Sequence, residues 1–264
     1  MSNAFLLPIL AVYGLIIGSF LNVVIVRVPA GESIVRPPSK CPQCQTPIAT
    51  RDNLPLISWL LLRRRCRSCS EPIPAGYPLV ELANAVLWVL AGVRFGASWE
   101  LIPYALVFSV LLALSVIDLE LYILPNKITY PSVLVSLVVV VPLAYVAADN
   151  PRGAILGALL GGIGYAGFLG VTLIAYELIV HKEGMGMGDV KLAAFLGIWL
   201  GYLSPFLVLY ALIGASLIGL VVGGVILIVR KASEPYPFGP WLALGTIGTI
   251  LLSEQIVHTF LNAA

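Results

Sequence analysis

Asp118 closes an apolar run at Ser115-Val116-Ile117-Asp118, and Asp189 opens another after Gly184-Met185-Gly186-Met187-Gly188. The chain otherwise avoids charge: 11% of its residues are charged, against about 25% in soluble domains. An ionisable group at a membrane span is costly and reads as functional by default. Two carboxylates carried to one place by different helices can share a proton, one then serving as base and the other as acid at the same pH. That is the chemistry of water-driven peptide-bond cleavage, here at a membrane boundary. Taken singly, Asp118 is equally an interfacial residue capping a helix, whereas the glycines before Asp189 weigh against that reading there; Glu120 and Glu183 stand close enough in sequence to be alternative partners.

The residues around the pair suggest how it is held. Pro125 in Leu124-Pro125-Asn126-Lys127 cannot continue a helix and Asn126 favours a turn, so Asp118 lies where a helix meets a turn. Gly186 and Gly188 let the backbone bend and let a partner helix or substrate strand approach Asp189. Asp189 is also placed for a helix N-terminus, whose dipole favours an anion. Lys191 either pairs with Asp189 or a substrate carbonyl, or extends its ammonium to the surface. Asn22, Glu81, Asn84 and Glu177 are further polar groups at membrane depth. Glu81 and Asn84, three apart, share a helix face directed into the bundle.

The elements that must carry these groups are transmembrane helices. The 264 residues are 59% hydrophobic, with a mean hydropathy of +1.00. Eight spans are expected, near 5–26, 78–95, 101–117, 128–147, 153–180, 190–203, 205–229 and 240–261. Most reach the length of about 20 apolar residues that a bilayer requires, and 190–203 is short for a full crossing. Backbone groups in lipid must be bonded internally, so the fold class is all-α. Gly157-Ala158-Leu159-Leu160-Gly161-Gly162 has the small-residue spacing that lets helices pack closely in lipid. No cleavable signal peptide is expected, because the first apolar stretch lacks a preceding basic residue and is long enough to span. No internal repeat is expected either.

Lys and Arg set the orientation. The segment from Arg27 to Tyr77 holds eight of the fifteen: Arg27, Arg36, Lys40, Arg51, Arg63, Arg64, Arg65 and Arg67. The positive-inside rule puts this loop in the cytoplasm and the N-terminus outside. With eight spans, Lys127, Lys182, Lys191, Arg230 and Lys231 fall on the same side, leaving only Arg94 and Arg152 opposite. Asp118 and Asp189 then both face the cytoplasm, away from the midplane where transporters place coupling carboxylates.

All four cysteines lie in that loop, as Cys41-Pro42-Gln43-Cys44 and Cys66-Arg67-Ser68-Cys69, with twenty-one residues between the pairs. Two such knuckles turn four thiolates onto one tetrahedral zinc ion, and a cytoplasmic setting disfavours the alternative of disulfides. Four cysteines complete the coordination sphere, so the metal is expected to be structural. The expected organisation is a first span at 1–27, a cytoplasmic zinc-ribbon-like loop domain at 28–77 and a helical bundle at 78–264. The loop is too poor in apolar residues to fold without such a staple.

Taken in order, these features resemble those of the type IV prepilin peptidases, GxGD-type aspartyl proteases of the bacterial inner membrane. The resemblance runs through Gly18-Ser19-Phe20-Leu21-Asn22, Arg36-Pro37-Pro38-Ser39-Lys40-Cys41, Cys66-Arg67-Ser68-Cys69 and Tyr77-Pro78-Leu79-Val80-Glu81-Leu82. It continues through Asp118 with Leu124-Pro125-Asn126, Gly186-Met187-Gly188-Asp189-Val190-Lys191 and Pro237-Phe238-Gly239-Pro240.

The resemblance implies removal of the basic leader from type IV prepilins or type II secretion pseudopilins after a glycine, on the cytoplasmic side. It implies Asp118 and Asp189 as the catalytic pair. Because members that carry the four-cysteine loop typically methylate the new N-terminal residue, it also implies S-adenosylmethionine as methyl donor. No glycine-rich loop of the soluble methyltransferase kind marks that donor's site. Asn126 stands where many members have Asp. Prepilin and membrane lipid are the expected partners, and nucleic acid is not among them. The competing classes are an ion- or proton-coupled transporter and a non-catalytic assembly factor.

Overall fold

A computed structural model describes residues 3–181, 186–230 and 237–261. They form ten α-helices: α1 Asn3–Arg27, α2 Ile57–Leu61, α3 Gly76–Phe95, α4 Leu101–Leu121, α5 Asn126–Ala147, α6 Pro151–Val180, α7 Met187–Leu203, α8 Leu207–Arg230, α9 Gly239–Leu251 and α10 Ser253–Ile256. Six of them (α1, α3, α4, α5, α6 and α8) are long and apolar enough to cross a membrane. A seventh crossing needs α9 and the helix after it, bent by 69° at the break, to be taken as one. The remaining expected span is α7, only 17 residues long, which gives a length of about 26 Å, short of a ~30 Å hydrocarbon core. The positions of Lys182, Glu183 and Lys231 lie outside the described residues.

The chain divides into two compact units, Met1–Ala113 and Leu114–Ala264, with α4 running across the boundary. In the first unit α1 packs on α3 through glycine. A Cβ at Gly14 would lie 2.6 Å from Ala85 Cα, and one at Gly18 would lie 2.7 Å from Glu81 Cα. This close approach brings the polar groups of the two helices into reach. Asn84 Nδ2 donates to Gly14 O at 2.7 Å and Asn22 Nδ2 to Tyr77 O at 3.1 Å. The face shared by Glu81 and Asn84 is therefore the one turned toward α1. Trp88 Nε1 donates to Ser109 Oγ at 2.8 Å, tying α3 to the first half of α4.

In the second unit the short α7 is the core. Leu192, Ala193, Phe195, Leu196, Ile198, Trp199 and Leu200 are all buried, so α7 is apolar on every side. Helix α6 lies along it at the small-residue stretch 157–162. A Cβ at Gly161 would fall 2.8 Å from Gly201 Cα, and one at Gly201 would fall 3.0 Å from Gly161 Cα. Where lipid supplies no hydrophobic driving force between helices, such backbone proximity is a main source of association. The partner glycines Gly197 and Gly201 sit on a helix that the sequence marks as apolar but not as a packing face. Helix α9 meets α8 in the same way: a Cβ at Gly245 would be 2.6 Å from Ala215 N. Trp199 Nε1 donates to Ser136 Oγ at 2.8 Å and fixes α5 against α7.

Candidate active site

Asp118 lies in the last turn of α4. That helix ends because Tyr122, with φ of 57°, turns left-handed while its N–H donates to Asp118 O. Asp189 lies in the first turn of α7, where its backbone N–H donates to Gly186 O at 3.0 Å. Both carboxylates are buried, at 6% and 8% exposure. They meet at Gly239, the first residue of α9, which belongs to the Pro237-Phe238-Gly239-Pro240 segment of the resemblance but was assigned no role of its own. Gly239 N–H donates to Asp118 Oδ2 at 3.1 Å. A Cβ at Gly239 would stand 2.6 Å from Asp118 Oδ2 and 3.6 Å from Asp189 Oδ1. One small atom at that point would thus touch both carboxylates. The pattern that could have drawn attention to Gly239 is the proline after it, since proline favours the first turn of a helix.

The glycine pair before Asp189 acts through proximity. A Cβ at Gly188 would lie 3.0 Å from Leu124 Cβ, so the α7 N-terminus rests on the turn that follows α4. Gly186 is the N-cap of α7, in an extended conformation. Lys191 reaches across to the same turn rather than to either Asp. Its Nζ donates to Asn126 Oδ1 at 2.8 Å and sits 4.9 Å from the Tyr130 ring centroid. A hydrogen bond and a cation–π contact thus link the start of α5 to the start of α7. Glu120 is exposed, as befits a solvated charge. Glu183 lies outside the described residues.

Glu81 and the cysteines belong to the first unit. Glu81 is buried and its Oε2 accepts from Leu56 N at 2.8 Å, which anchors α2 to α3. The four Sγ atoms of Cys41, Cys44, Cys66 and Cys69 all lie within 4.8 Å of one another, with Cys41 and Cys69 at 3.9 Å. Tetrahedral zinc–thiolate bonds of about 2.3 Å would set the sulfurs about 3.8 Å apart, so this donor set fits such an ion.

The two knuckles are copies of each other. Cys41 N donates to Thr46 O and Cys66 N to Glu71 O. Gln45 N donates to Cys41 O and Ser70 N to Cys66 O. Gln45 and Ser70 both take positive φ, at 58° and 60°. The bridges Lys40–Pro47 and Arg65–Pro72 close each copy. An internal repeat therefore exists, contrary to expectation, and it can be read in Cys41-Pro42-Gln43-Cys44-Gln45-Thr46-Pro47-Ile48 against Cys66-Arg67-Ser68-Cys69-Ser70-Glu71-Pro72-Ile73. It is too short to register as a repeat of whole elements.

Side chains around the knuckles complete the loop. Cys44 Sγ donates to Thr46 Oγ1 at 3.3 Å. Arg67 forms a two-pronged bond to Asp52, at 2.7 Å from Nε and 2.6 Å from Nη2, and this holds the Asp52 carboxyl below its usual range. Trp59 Nε1 donates to Ile73 O at 3.2 Å, beneath the Arg64 guanidinium at 4.7 Å.

An all-helical membrane protein with two buried carboxylates converging at the ends of its helices falls in the class of intramembrane aspartyl enzymes. Residues 105–227 match the type IV leader peptidase family and residues 12–95 match the bacterial peptidase A24 N-terminal domain. The chain belongs to the type IV leader peptidase family. It is 36% identical to a prepilin leader peptidase/N-methyltransferase of Aeromonas hydrophila, over 95% of this chain and 92% of that protein. It is 40% identical to an Escherichia coli protein named type 4 prepilin-like proteins leader peptide-processing enzyme, over 93% and 94% of the two chains. A Myxococcus xanthus prepilin leader peptidase/N-methyltransferase is also 40% identical, over 86% of this chain, which spans 66% of that relative's length. No solved structure matches.

Proposed function

We propose that this protein is a membrane-embedded aspartyl endopeptidase that removes the leader of type IV prepilins or pseudopilins and then N-methylates the new N-terminal residue. Asp118 and Asp189 are its catalytic pair. The observation that carries the reading is the single point at Gly239 from which both carboxylates are within contact distance. The relatives' names supply the substrate class.

In this mechanism the prepilin lies with its apolar helix beside the bundle and its leader junction unwound at the cytoplasmic face. One ionised Asp takes a proton from water as the oxygen bonds to the scissile carbonyl carbon. The protonated partner gives its proton to the carbonyl oxygen. As the tetrahedral intermediate collapses, the C–N bond breaks and the departing amine receives a proton from the pair. Burial keeps bulk water from competing with the positioned molecule. In the second activity S-adenosylmethionine, when bound, would supply the methyl group that the freed amine receives.

Cys41, Cys44, Cys66 and Cys69 would hold zinc, which would fold the loop and, with four thiolates around it, would leave no open position for catalysis. The protein sits in the bacterial inner membrane with its N-terminus outside and the carboxylate pair facing the cytoplasm, as the Lys and Arg distribution supports.

The test is incubation of the purified protein with a prepilin, with and without S-adenosylmethionine, under mass spectrometry. A shortened product in both arms, heavier by one methyl group only with the donor, is expected. An intact prepilin in both would leave an assembly factor as the better reading.

A further inference from the structure

The segment Pro237-Phe238-Gly239-Pro240 takes no part in the chemistry above, yet its Gly239 N–H donates to Asp118 Oδ2, and a Cβ added at Gly239 would stand 3.6 Å from Asp189 Oδ1. We infer that Gly239 is a positioning residue for peptide cleavage. Its N–H fixes one oxygen of Asp118, and its missing side chain keeps open the space between the two aspartates. The inference rests on the reading of Asp118 and Asp189 as the reacting pair.

The first N–H groups of a helix have no partner within it. In α9, Pro240 has none to offer and Trp241 N donates back to Phe238 O, so Gly239 presents its N–H to Asp118. The bond fills one of the two acceptor positions of Oδ2 and fixes the orientation of the carboxylate. It also brings the positive end of α9 to the carboxylate, where it stabilises negative charge.

Backbone conformation does not explain the glycine. Gly239 does not adopt the positive φ that glycine tolerates best, and alanine is the better helix former. What excludes a side chain is space. A methyl carbon there would stand 2.6 Å from Asp118 Oδ2, closer than any van der Waals contact permits. It would also occupy the volume where water and the scissile carbonyl must meet the pair. Gly239→Ala should therefore fold, and should fail at the chemistry.

The experiment compares full-length Gly239→Ala with Gly248→Ala, on the same helix, where an added methyl meets nothing within 4 Å. Prepilin cleavage, methyl transfer to a pre-cut pilin peptide and thermal stability are measured for each, with Asp118→Asn run in parallel. Gly239→Ala should lower kcat on the order of 100-fold with KM unchanged, as expected for misplacement of a reacting group. Its methyl transfer and Tm should match the unmodified protein, and Gly248→Ala should cut normally. Unchanged kcat in Gly239→Ala beside an inactive Asp118→Asn overturns this inference alone. Cleavage by Asp118→Asn overturns the reading beneath it. A Gly239→Ala that loses both activities together with stability, or a Gly248→Ala equally impaired, assigns the glycine a packing role and also overturns the inference.

Discussion

At the scale of the residue, the site is held by short contacts between polar groups that arrive from different helices. Lys191 shows how specific these are. The expectation from its sequence position was a pairing with Asp189 or with substrate, or an exposed ammonium. It binds Asn126 Oδ1 at 2.8 Å in an exposed setting and lies over Tyr130, bracing the turn after Asp118 against the turn before Asp189. Replacing Lys191 with Met should remove about 1 kcal/mol of stability, given the partly exposed setting, and should slow prepilin cleavage with methyl transfer unaffected. Asn126→Asp should keep the brace as an ion pair and cleave at close to the normal rate. Thermal denaturation and a cleavage time course check both. Loss of cleavage in Asn126→Asp would mean that the neutral amide is required. The carboxylates themselves were legible, because an acid at the end of an apolar run has few structural explanations. The part played by Gly239 was not, although its segment carries some of the resemblance, because its value comes from a residue 121 positions away.

At the scale of the element, helix α7 holds the second unit together. Its shortness and its burial go together: a helix surrounded by α5, α6 and α9 need not present a lipid-facing surface of full bilayer thickness. Hydropathy alone shows a short apolar segment and cannot distinguish a buried helix from an exposed one. The small-residue stretch on α6 was legible as a packing face, while the identity of its partner was not. Gly197 and Gly201 are four apart on α7, but two glycines in an apolar helix also occur without any such contact. Gly161→Ala or Gly197→Ala should each cost about 1–3 kcal/mol through overpacking against backbone. Gly164→Ala, on the same helix as Gly161 with nothing within 4 Å, should cost nothing measurable. Thermal unfolding in detergent distinguishes them, and equal stability of all three variants would reject α6–α7 contact at this seam.

At the scale of the whole molecule, the helices and the loop at 28–77 differ in what stabilises them. The bundle relies on helix packing, whereas residues 28–77 have little apolar core and rely on the paired knuckles, the Asp52–Arg67 bond and the Glu81 anchor to Leu56. Metal removal should therefore act on the loop first. In inside-out membrane vesicles, chelation should open the loop to trypsin at Arg51, Arg63, Arg64, Arg65 and Arg67, while the helices stay resistant. In right-side-out vesicles the same treatment should give no cutting, because the proposed orientation puts the loop in the cytoplasm. Cutting from the outer side would reverse the orientation. Loop resistance after complete chelation would show that the thiolate site is not the staple. The class of fold was readable from composition, since a chain with so few charges has no soluble alternative. The number of crossings was less so, because length and hydropathy do not tell a bent α9–α10 pair or a 17-residue α7 from a full span.

The central claim is that Asp118 and Asp189 act together on one peptide bond. Its most direct test is single-turnover prepilin cleavage by Asp118→Asn and Asp189→Asn, each alone, with methyl transfer to a pre-cut peptide as the measure of intact folding. Each variant should lose cleavage by about 10²–10⁴-fold or more while retaining methyl transfer. Cleavage at the unmodified rate by either variant would contradict the account.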